Sequence, residues 1–276
     1  MYFHYYLRSM TRKELIEQIH SKKSYLCVGL DTDITKIPRH LLSLPDPAFE
    51  FNKQIIDATR DHCVSYKINT AFYESQGTKG WATMEKTVNY IPATHFTIAD
   101  AKRGDIGNTS AQYAKAFFEV LNFDAITVAP YMGEDSIRPF LEYKNKWTIV
   151  LGLTSNPGAK DFELQQTGTE RLYEKVLRTV TGWGSAENLM FVIGATQADV
   201  FTNVRNMLPD HFFLVPGVGF QGGSLKDISG KAMNNDCGIL INVSRAIIFA
   251  GEKEDFAIEA KAIAKQYQKE MGAYIK

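Results

Sequence analysis

The sequence predicts a (β/α)₈ barrel, an α/β fold in which eight parallel strands alternate with helices in one domain. Eight short apolar runs recur along the 276 residues, and most are near-continuously apolar, as strands covered on both faces are. Amphipathic segments separate the runs, which is typical of parallel α/β folds. Eight such units in about 250 residues match a barrel, whereas a doubly wound sheet, the alternative, usually has fewer strands at this length.

The predicted elements follow one another with short connections. The strands are the runs 25–31, 63–69, 95–101, 124–130, 147–154, 189–195, 212–218 and 237–243. Amphipathic helices are predicted over 49–60, 110–121, 171–180 and 255–269. Helix starts are indicated by the capping-box spacings of Thr11 with Glu14, Thr167 with Glu170, and Thr196 with Asp199.

Composition limits the classes of protein to which the chain can belong. Lys plus Arg and Asp plus Glu both number 31, so a broad nucleic-acid or membrane-binding surface is not expected. The three cysteines lie far apart in apolar runs, which indicates buried thiols and a reducing cytoplasm. Residues 1–10 lack the apolar core of a signal peptide and are interpreted as an N-terminal extension, with disorder one interpretation, before a barrel domain at 11–276.

The most informative segment is 96–107, where an apolar strand ends in charged residues. Asp100 and Lys102 are two residues apart, so on a strand they share a face. Asp105 follows where the next helix begins. Because a lysine between two acidic side chains is stabilised in its charged form, this cluster is a candidate for catalysis.

Other polar residues are predicted to meet this cluster, because barrel active sites collect at the carboxyl ends of the strands. Asp31, Lys67 and Ser155 stand at the ends of strands one, two and five. The segment after Ser155, to about Gly168, has no regular pattern, and a mobile lid and an ordinary surface loop both remain open.

The last two strands lead into a predicted phosphate site. Gly222 and Gly223 would let the backbone approach an anion closely, and Arg245 offers a fork of donors. By contrast, the six histidines have no metal-binding spacing, and neither a nucleotide P-loop nor a Gly-x-Ser-x-Gly motif is present. No metal site is therefore predicted.

Five motifs stand out: Val28-Gly29-Leu30-Asp31, Tyr66-Lys67-Ile68-Asn69, Asp100-Ala101-Lys102-Arg103-Gly104-Asp105-Ile106-Gly107, 216–223 and Ser244-Arg245. Together these motifs resemble the orotidine 5′-monophosphate decarboxylase family, in its bacterial branch with longer loops, over residues 11–270. The resemblance implies a homodimeric barrel without metal or organic cofactor. It also implies that the chain converts orotidine 5′-monophosphate into uridine 5′-monophosphate and CO₂, the last step of de novo pyrimidine nucleotide synthesis.

The resemblance also implies roles for single residues at the reaction centre. Lys102 would protonate C6 of the pyrimidine, and Asp100 would face the departing CO₂ group. Lys67 would bridge the ribose and Asp100, and Asp31 would contact the ribose. The residues implied to enter the site of the partner subunit are Asp105, Ile106 and Thr109.

The remaining implied roles concern the base and the phosphate. Ser155 would contact the pyrimidine edge, and Gln221 would link phosphate and base. Arg245 would hold the phosphate, together with Gly222 and Gly223. Ser244 stands beside Arg245 where the family pattern has glycine, which is a departure from that pattern.

Two other functions remain open at this point. One is a Mg²⁺-dependent sugar-phosphate decarboxylase or aldolase of the same barrel superfamily, which has a related Asp-x-Lys-x-x-Asp strand. Such an enzyme would use an acidic metal ligand on strand two, where this chain has Lys67. The other is a phosphate-sensing barrel without catalysis, which would have no use for the cluster around Lys102.

Overall fold

Eight parallel strands close into a barrel in the computed structural model, which describes residues 9–195, 200–218 and 224–275. Each strand pairs with the next along the chain, and the last pairs with the first. The predicted fold class is therefore confirmed. The barrel strands are β1 (Leu26–Gly29), β2 (Ser65–Asn69), β3 (Phe96–Arg103), β4 (Ala125–Val128), β5 (Trp147–Leu153), β6 (Leu189–Ile193), β7 (Phe212–Pro216) and β8 (Ile239–Val243).

Helices cover the outside of the barrel. The first begins at a capping box, as predicted: Thr11 accepts a hydrogen bond from the backbone of Glu14, whose carboxylate accepts one from the Thr11 backbone. The helices are α1 (Arg12–Lys22), α2 (Pro47–Thr59), α3 (Ala71–Glu74), α4 (Gly77–Tyr90), α5 (Gly107–Lys115), α6 (Glu134–Leu141), α7 (Leu172–Val180), α8 (Val200–Met207), α9 (Leu225–Ala232), α10 (Arg245–Ile248) and α11 (Phe256–Gly272).

The helix start predicted at Thr167 is wrong. Thr167 and Glu170 instead pair in a small antiparallel hairpin, with Gly168 in the left-handed region (φ 67°) at its turn. Helix α7 begins only at Leu172, and the Glu174 carboxylate accepts a hydrogen bond from the backbone of Arg171. The other start signal, Thr196 with Asp199, lies outside the described residues.

The segment after β5 is more regular than its sequence pattern indicates. It contains a 3₁₀ turn over Pro157–Lys160 before the hairpin. The carboxylate of Glu163 folds back and accepts hydrogen bonds from both the backbone and the hydroxyl of Thr154. This segment is therefore tied to the end of β5.

The amino-terminal end of the barrel is closed by aromatic side chains and by Met10. Trp147 packs edge-on against Phe96 and Phe212, with ring centroids 5.9 and 6.4 Å apart. The indole of Trp147 donates to the backbone oxygen of Met10, whose own nitrogen donates to Asp124. Polar side chains at the carboxyl ends of the strands therefore face the opposite opening.

Two further findings concern the chain as a whole. All three cysteines are buried and free. Among the described helices, none has both the length and the apolar character needed to cross a membrane.

Candidate active site

Four charged side chains of alternating sign form a continuous chain at the mouth of the barrel. Lys67 donates to Asp31 and to Asp100, with both N–O distances 3.0 Å. Asp100 in turn accepts from the Nζ atom of Lys102 at 2.5 Å. We call Asp31, Lys67, Asp100 and Lys102 the charge chain. The structure thus brings together the four residues that the sequence placed at the ends of the first three strands.

The strand that carries Asp100 and Lys102 is not regular. Lys102 has a left-handed backbone (φ 47°), and the pairing of β3 with β4 shifts register between Ala99 and Arg103. A non-glycine residue in this region is strained and persists only where its surroundings hold it. The expected contact between the two side chains is therefore made across a bulge rather than along a flat strand.

Thr127 on β4 holds this bulge in place, and sequence reasoning missed it. Its hydroxyl accepts a hydrogen bond from the backbone nitrogen of Lys102 at 2.9 Å and donates one to Asp100 at 3.0 Å. The side chain is fully buried. Its only signal in the sequence is a hydroxyl residue inside an apolar run, where strand register decides whether it faces the site.

Burial and neighbouring charges set the protonation states of the charge chain. Burial alone would raise the pKa of Asp100, but Lys67 and Lys102 together hold that pKa well below its ordinary value. Burial would lower the pKa of Lys67, but the carboxylates of Asp100 and Asp31 outweigh it and raise that pKa. Asp100 is therefore an anion and Lys67 a cation at neutral pH.

The charge chain lies between two adjoining cavities of about 180 and 220 Å³. Lys67, Asp100, Ser155 and Pro216 line both. Lys102 lines the larger cavity, whereas Ser244 and Arg245 line the smaller one. A single elongated ligand could therefore reach from Lys102 at one end to Arg245 at the other.

The predicted phosphate end is described only in part. Ser244 donates to the backbone oxygen of Gly29 at 3.1 Å. A Cβ atom on Gly29 would lie 2.7 Å from that of Ser244, so only glycine fits at this point of β1. Arg245 follows as the first residue of α10. The other residues predicted here, Gln221, Gly222 and Gly223, lie outside the described residues.

Asp105, Ile106 and Thr109 do not line either cavity in this chain. Within the described part of the chain, Asp105 forms no ion pair, and its carboxylate accepts from the backbone of Ile106 at 2.8 Å. Ile106 is 57% exposed, and Thr109 is exposed as well. The structure therefore leaves these three residues outside the two cavities of their own subunit.

A closed barrel with paired lysines and aspartates at its carboxyl-terminal mouth has the active-site arrangement of the (β/α)₈ class of enzymes. The model of the "Orotidine 5'-phosphate decarboxylase / HUMPS family" matches residues 24–260. The chain belongs to this family, which confirms the resemblance found in the sequence.

Individual relatives agree with the family assignment. The chain is 56% identical to an orotidine 5′-phosphate decarboxylase of Bacteroides fragilis over 97% of this chain and 99% of that one. It is 57% identical to one of Phocaeicola vulgatus, over 95% and 98%.

Solved structures agree as well. The Leishmania donovani OMP decarboxylase superimposes with a TM-score of 0.84 at 36% identity, over 96% of this chain and 99% of that one. The Leishmania donovani UMP synthase gives a TM-score of 0.86 at 38% identity; 97% of this chain matches 57% of that longer one.

Proposed function

We propose that the charge chain carries out the decarboxylation of orotidine 5′-monophosphate to uridine 5′-monophosphate and CO₂. This is the reaction for which the family and its members with 56–57% identity are named, and it makes the chain a carboxy-lyase of pyrimidine nucleotide synthesis. The observation that carries the residue roles is the position of the Lys102 amine, held by Asp100 at 2.5 Å beside the larger cavity.

Lys102 acts on the carbon from which CO₂ departs. When the C6–carboxyl bond breaks, its electron pair stays on C6, where resonance gives little help. A positioned ammonium stabilises this charge: at an effective dielectric constant of about 20, unit charges 4 Å apart interact by about 4 kcal/mol. Lys102 then gives a proton to C6, which completes the exchange of a C–C bond for a C–H bond.

Asp100 has two roles in this mechanism. It orients Lys102 through the 2.5 Å contact. Because its pKa is low, it also stays negative beside the carboxylate of the substrate, and this repulsion is relieved as CO₂ leaves.

The rest of the nucleotide extends along the two cavities. Asp31 and Lys67 contact the ribose, and Ser155, which lines both cavities, contacts the pyrimidine edge. Arg245 binds the phosphate, supported by Ser244 and by the loop with Gln221, Gly222 and Gly223. Phosphate binding far from C6 contributes free energy that holds the nucleotide in both the bound and the transition state.

The enzyme works as a homodimer in which Asp105, Ile106 and Thr109 enter the site of the partner subunit. Two features support this assembly. The three residues lie together on the connection from β3 to α5, and Ile106 exposes an apolar side chain there. We place the protein in the cytoplasm, in keeping with its three free buried cysteines.

The geometry of the charge chain does not fit either of the two alternative functions. The carboxylates of Asp31 and Asp100 are bridged by the ammonium of Lys67, so a cation already lies where two acidic ligands would hold Mg²⁺. A phosphate sensor would not need Lys102 at a strained backbone position beside the cavity. The relatives at 56% identity support the decarboxylase and not the magnesium enzyme.

The direct test follows the absorbance of orotidine 5′-monophosphate with purified protein and excess chelator. We expect turnover that is the same with and without chelator. Activity that is lost on chelation and restored by Mg²⁺ would favour the alternative enzyme, and nucleotide binding without turnover would favour a sensor.

A further inference from the structure

Asn242 is a buried polar residue of the cavity to which neither the motifs nor the mechanism assigns a role. It lies near the end of β8, is only 8% exposed, and lines the smaller cavity together with Asp31 and Lys67. Its side-chain oxygen is buried and makes no hydrogen bond to any residue that the structure describes.

This unpartnered oxygen is unusual because of its location. Buried polar atoms in folded proteins nearly always have a partner, since leaving one unpaired costs free energy. Six other buried side-chain atoms in the described part of the chain also have none, but their residues do not line the two cavities. They belong to His62, Ser65, Arg103, Thr148 and His211.

The position of Gly29 shows which part of the cavity the amide faces. A Cβ atom on Gly29 would lie 3.2 Å from the Asn242 oxygen, so the amide reaches over the bare backbone of β1. Gly29 is the register partner of Lys67, and Asp31 follows it by two residues. The amide therefore lies on the Asp31 and Lys67 side of the cavity rather than beside Lys102.

We infer that Asn242 positions the substrate through a hydrogen bond between its amide and a ribose hydroxyl of the bound nucleotide. This inference rests on the proposed function, which puts the ribose beside Asp31 and Lys67. A hydroxyl both donates and accepts hydrogen bonds, and an amide offers both partners. Because the amide is neutral, it completes the polar lining without competing with Asp31 for the ammonium of Lys67.

The test is a cycle that combines a change in the protein with a change in the ligand. Calorimetry gives the dissociation constants of uridine, 2′-deoxyuridine and 3′-deoxyuridine monophosphates for the wild type and for Asn242→Ala. In the wild type, we expect loss of the contacted hydroxyl to weaken binding about tenfold. In Asn242→Ala, uridine monophosphate should bind about tenfold more weakly, and loss of that hydroxyl should then change binding less than about twofold.

Two control variants separate this role from a structural one. Thr148→Val removes another buried, unpartnered oxygen from a barrel strand outside the cavities, and should leave all three dissociation constants unchanged. Arg245→Ala should weaken all three ligands by one common factor, because it acts on their shared phosphate. If Asn242→Ala does not fold, Asn242→Ser takes its place, since its shorter side chain also withdraws the amide.

The outcomes are distinct. An undiminished hydroxyl effect in the Asn242 variant would overturn the inference and leave the proposed function intact. Failure of the same wild-type sample to turn over orotidine 5′-monophosphate would overturn the proposed function, and the inference with it.

Discussion

Lys102 reaches Asp100 across a bulge in β3, with 2.5 Å between Nζ and Oδ1, while its own backbone is held in a left-handed conformation. The amine that the mechanism uses is thus placed by a local distortion of the barrel. That distortion depends on the neighbouring strand, since Thr127 on β4 bonds both residues.

Removing the amine should stop the reaction but not binding. We expect Lys102→Ala to lower kcat by at least about 10²–10³, because one preorganised charge at the reacting atom is lost. The affinity for uridine monophosphate should remain measurable. Initial rates and calorimetry check this against Lys175→Ala, which removes an exposed lysine on α7. Equal rates for the two variants would remove Lys102 from the mechanism.

Removing the hydroxyl of Thr127 should reduce turnover more than substrate binding. Thr127→Val removes the side-chain acceptor of the Lys102 backbone nitrogen and one of the two hydrogen bonds that Oδ1 of Asp100 accepts, the other coming from Lys102. We expect kcat to fall about tenfold with a smaller change in KM. Thr148→Val on the adjoining strand is the matched control, and it should leave kcat unchanged. A Thr127 variant with wild-type kcat would show that the bulge in β3 keeps its conformation without the Thr127 hydroxyl.

The shared dimer site predicts rescue between two inactive variants. Lys102→Ala and Asp105→Ala should each be inactive alone. When they are unfolded and refolded together in equal amounts, half of the dimers are mixed, and each of these has one intact site of two. The mixture should therefore reach about a quarter of wild-type activity. If mixed dimers verified by mass spectrometry show no activity, the proposal that Asp105 enters the site of the partner subunit is contradicted.

Truncating Arg245 should affect binding rather than chemistry. Arg245→Ala should raise KM with little change in kcat, because the phosphate contact is made in both the bound and the transition state. Arg245→Lys keeps the charge but not the two-pronged geometry, so its KM should fall between those of the wild type and the alanine variant. Steady-state kinetics measure KM for both variants. An unchanged KM would show that Arg245 does not bind the phosphate.

His211 should make the fold less stable in mild acid. Burial, with Arg12 nearby, lowers the pKa of this histidine from 6.5 to about 4. Between these values the unfolded chain binds the proton and the folded chain does not, so stability falls as pH drops through this range. Urea unfolding at pH 7.5 and 5 should show a smaller loss for His211→Leu than for the wild type. If both proteins lose the same free energy of unfolding between pH 7.5 and 5, other groups cause the loss of stability in acid.

Much of the site could be predicted from sequence because of one rule of architecture. The carboxyl ends of parallel strands meet at one mouth, so Asp31, Lys67, Asp100 and Lys102 could be grouped without knowing a single distance. Thr127 could not be grouped in this way, because it lies inside an apolar run and only the register between strands decides that it faces the site. Asn242 also stands near the carboxyl end of its strand, but the sequence does not show that its amide oxygen lacks a partner.

The wrong helix start at Thr167 has a local cause. Thr167 and Glu170 have the spacing of a capping box, but Gly168 permits a tight turn that pairs them across a hairpin instead. Asp105 is a different case, because its implied role lies in the site of the partner subunit; within its own chain its carboxylate accepts a hydrogen bond from the backbone of Ile106. Sequence spacing alone does not show whether an acidic residue serves its own subunit or another.

Met10 lies at the amino-terminal end of the barrel, where its backbone is hydrogen-bonded to the side chains of Trp147 and Asp124. Met10 and the exposed Ser9 before it therefore lie at the face opposite the substrate opening. An affinity surface or fluorescent label attached at Ser9 would hold the enzyme by that face, leaving nucleotide entry unobstructed in single-molecule or flow-cell measurements.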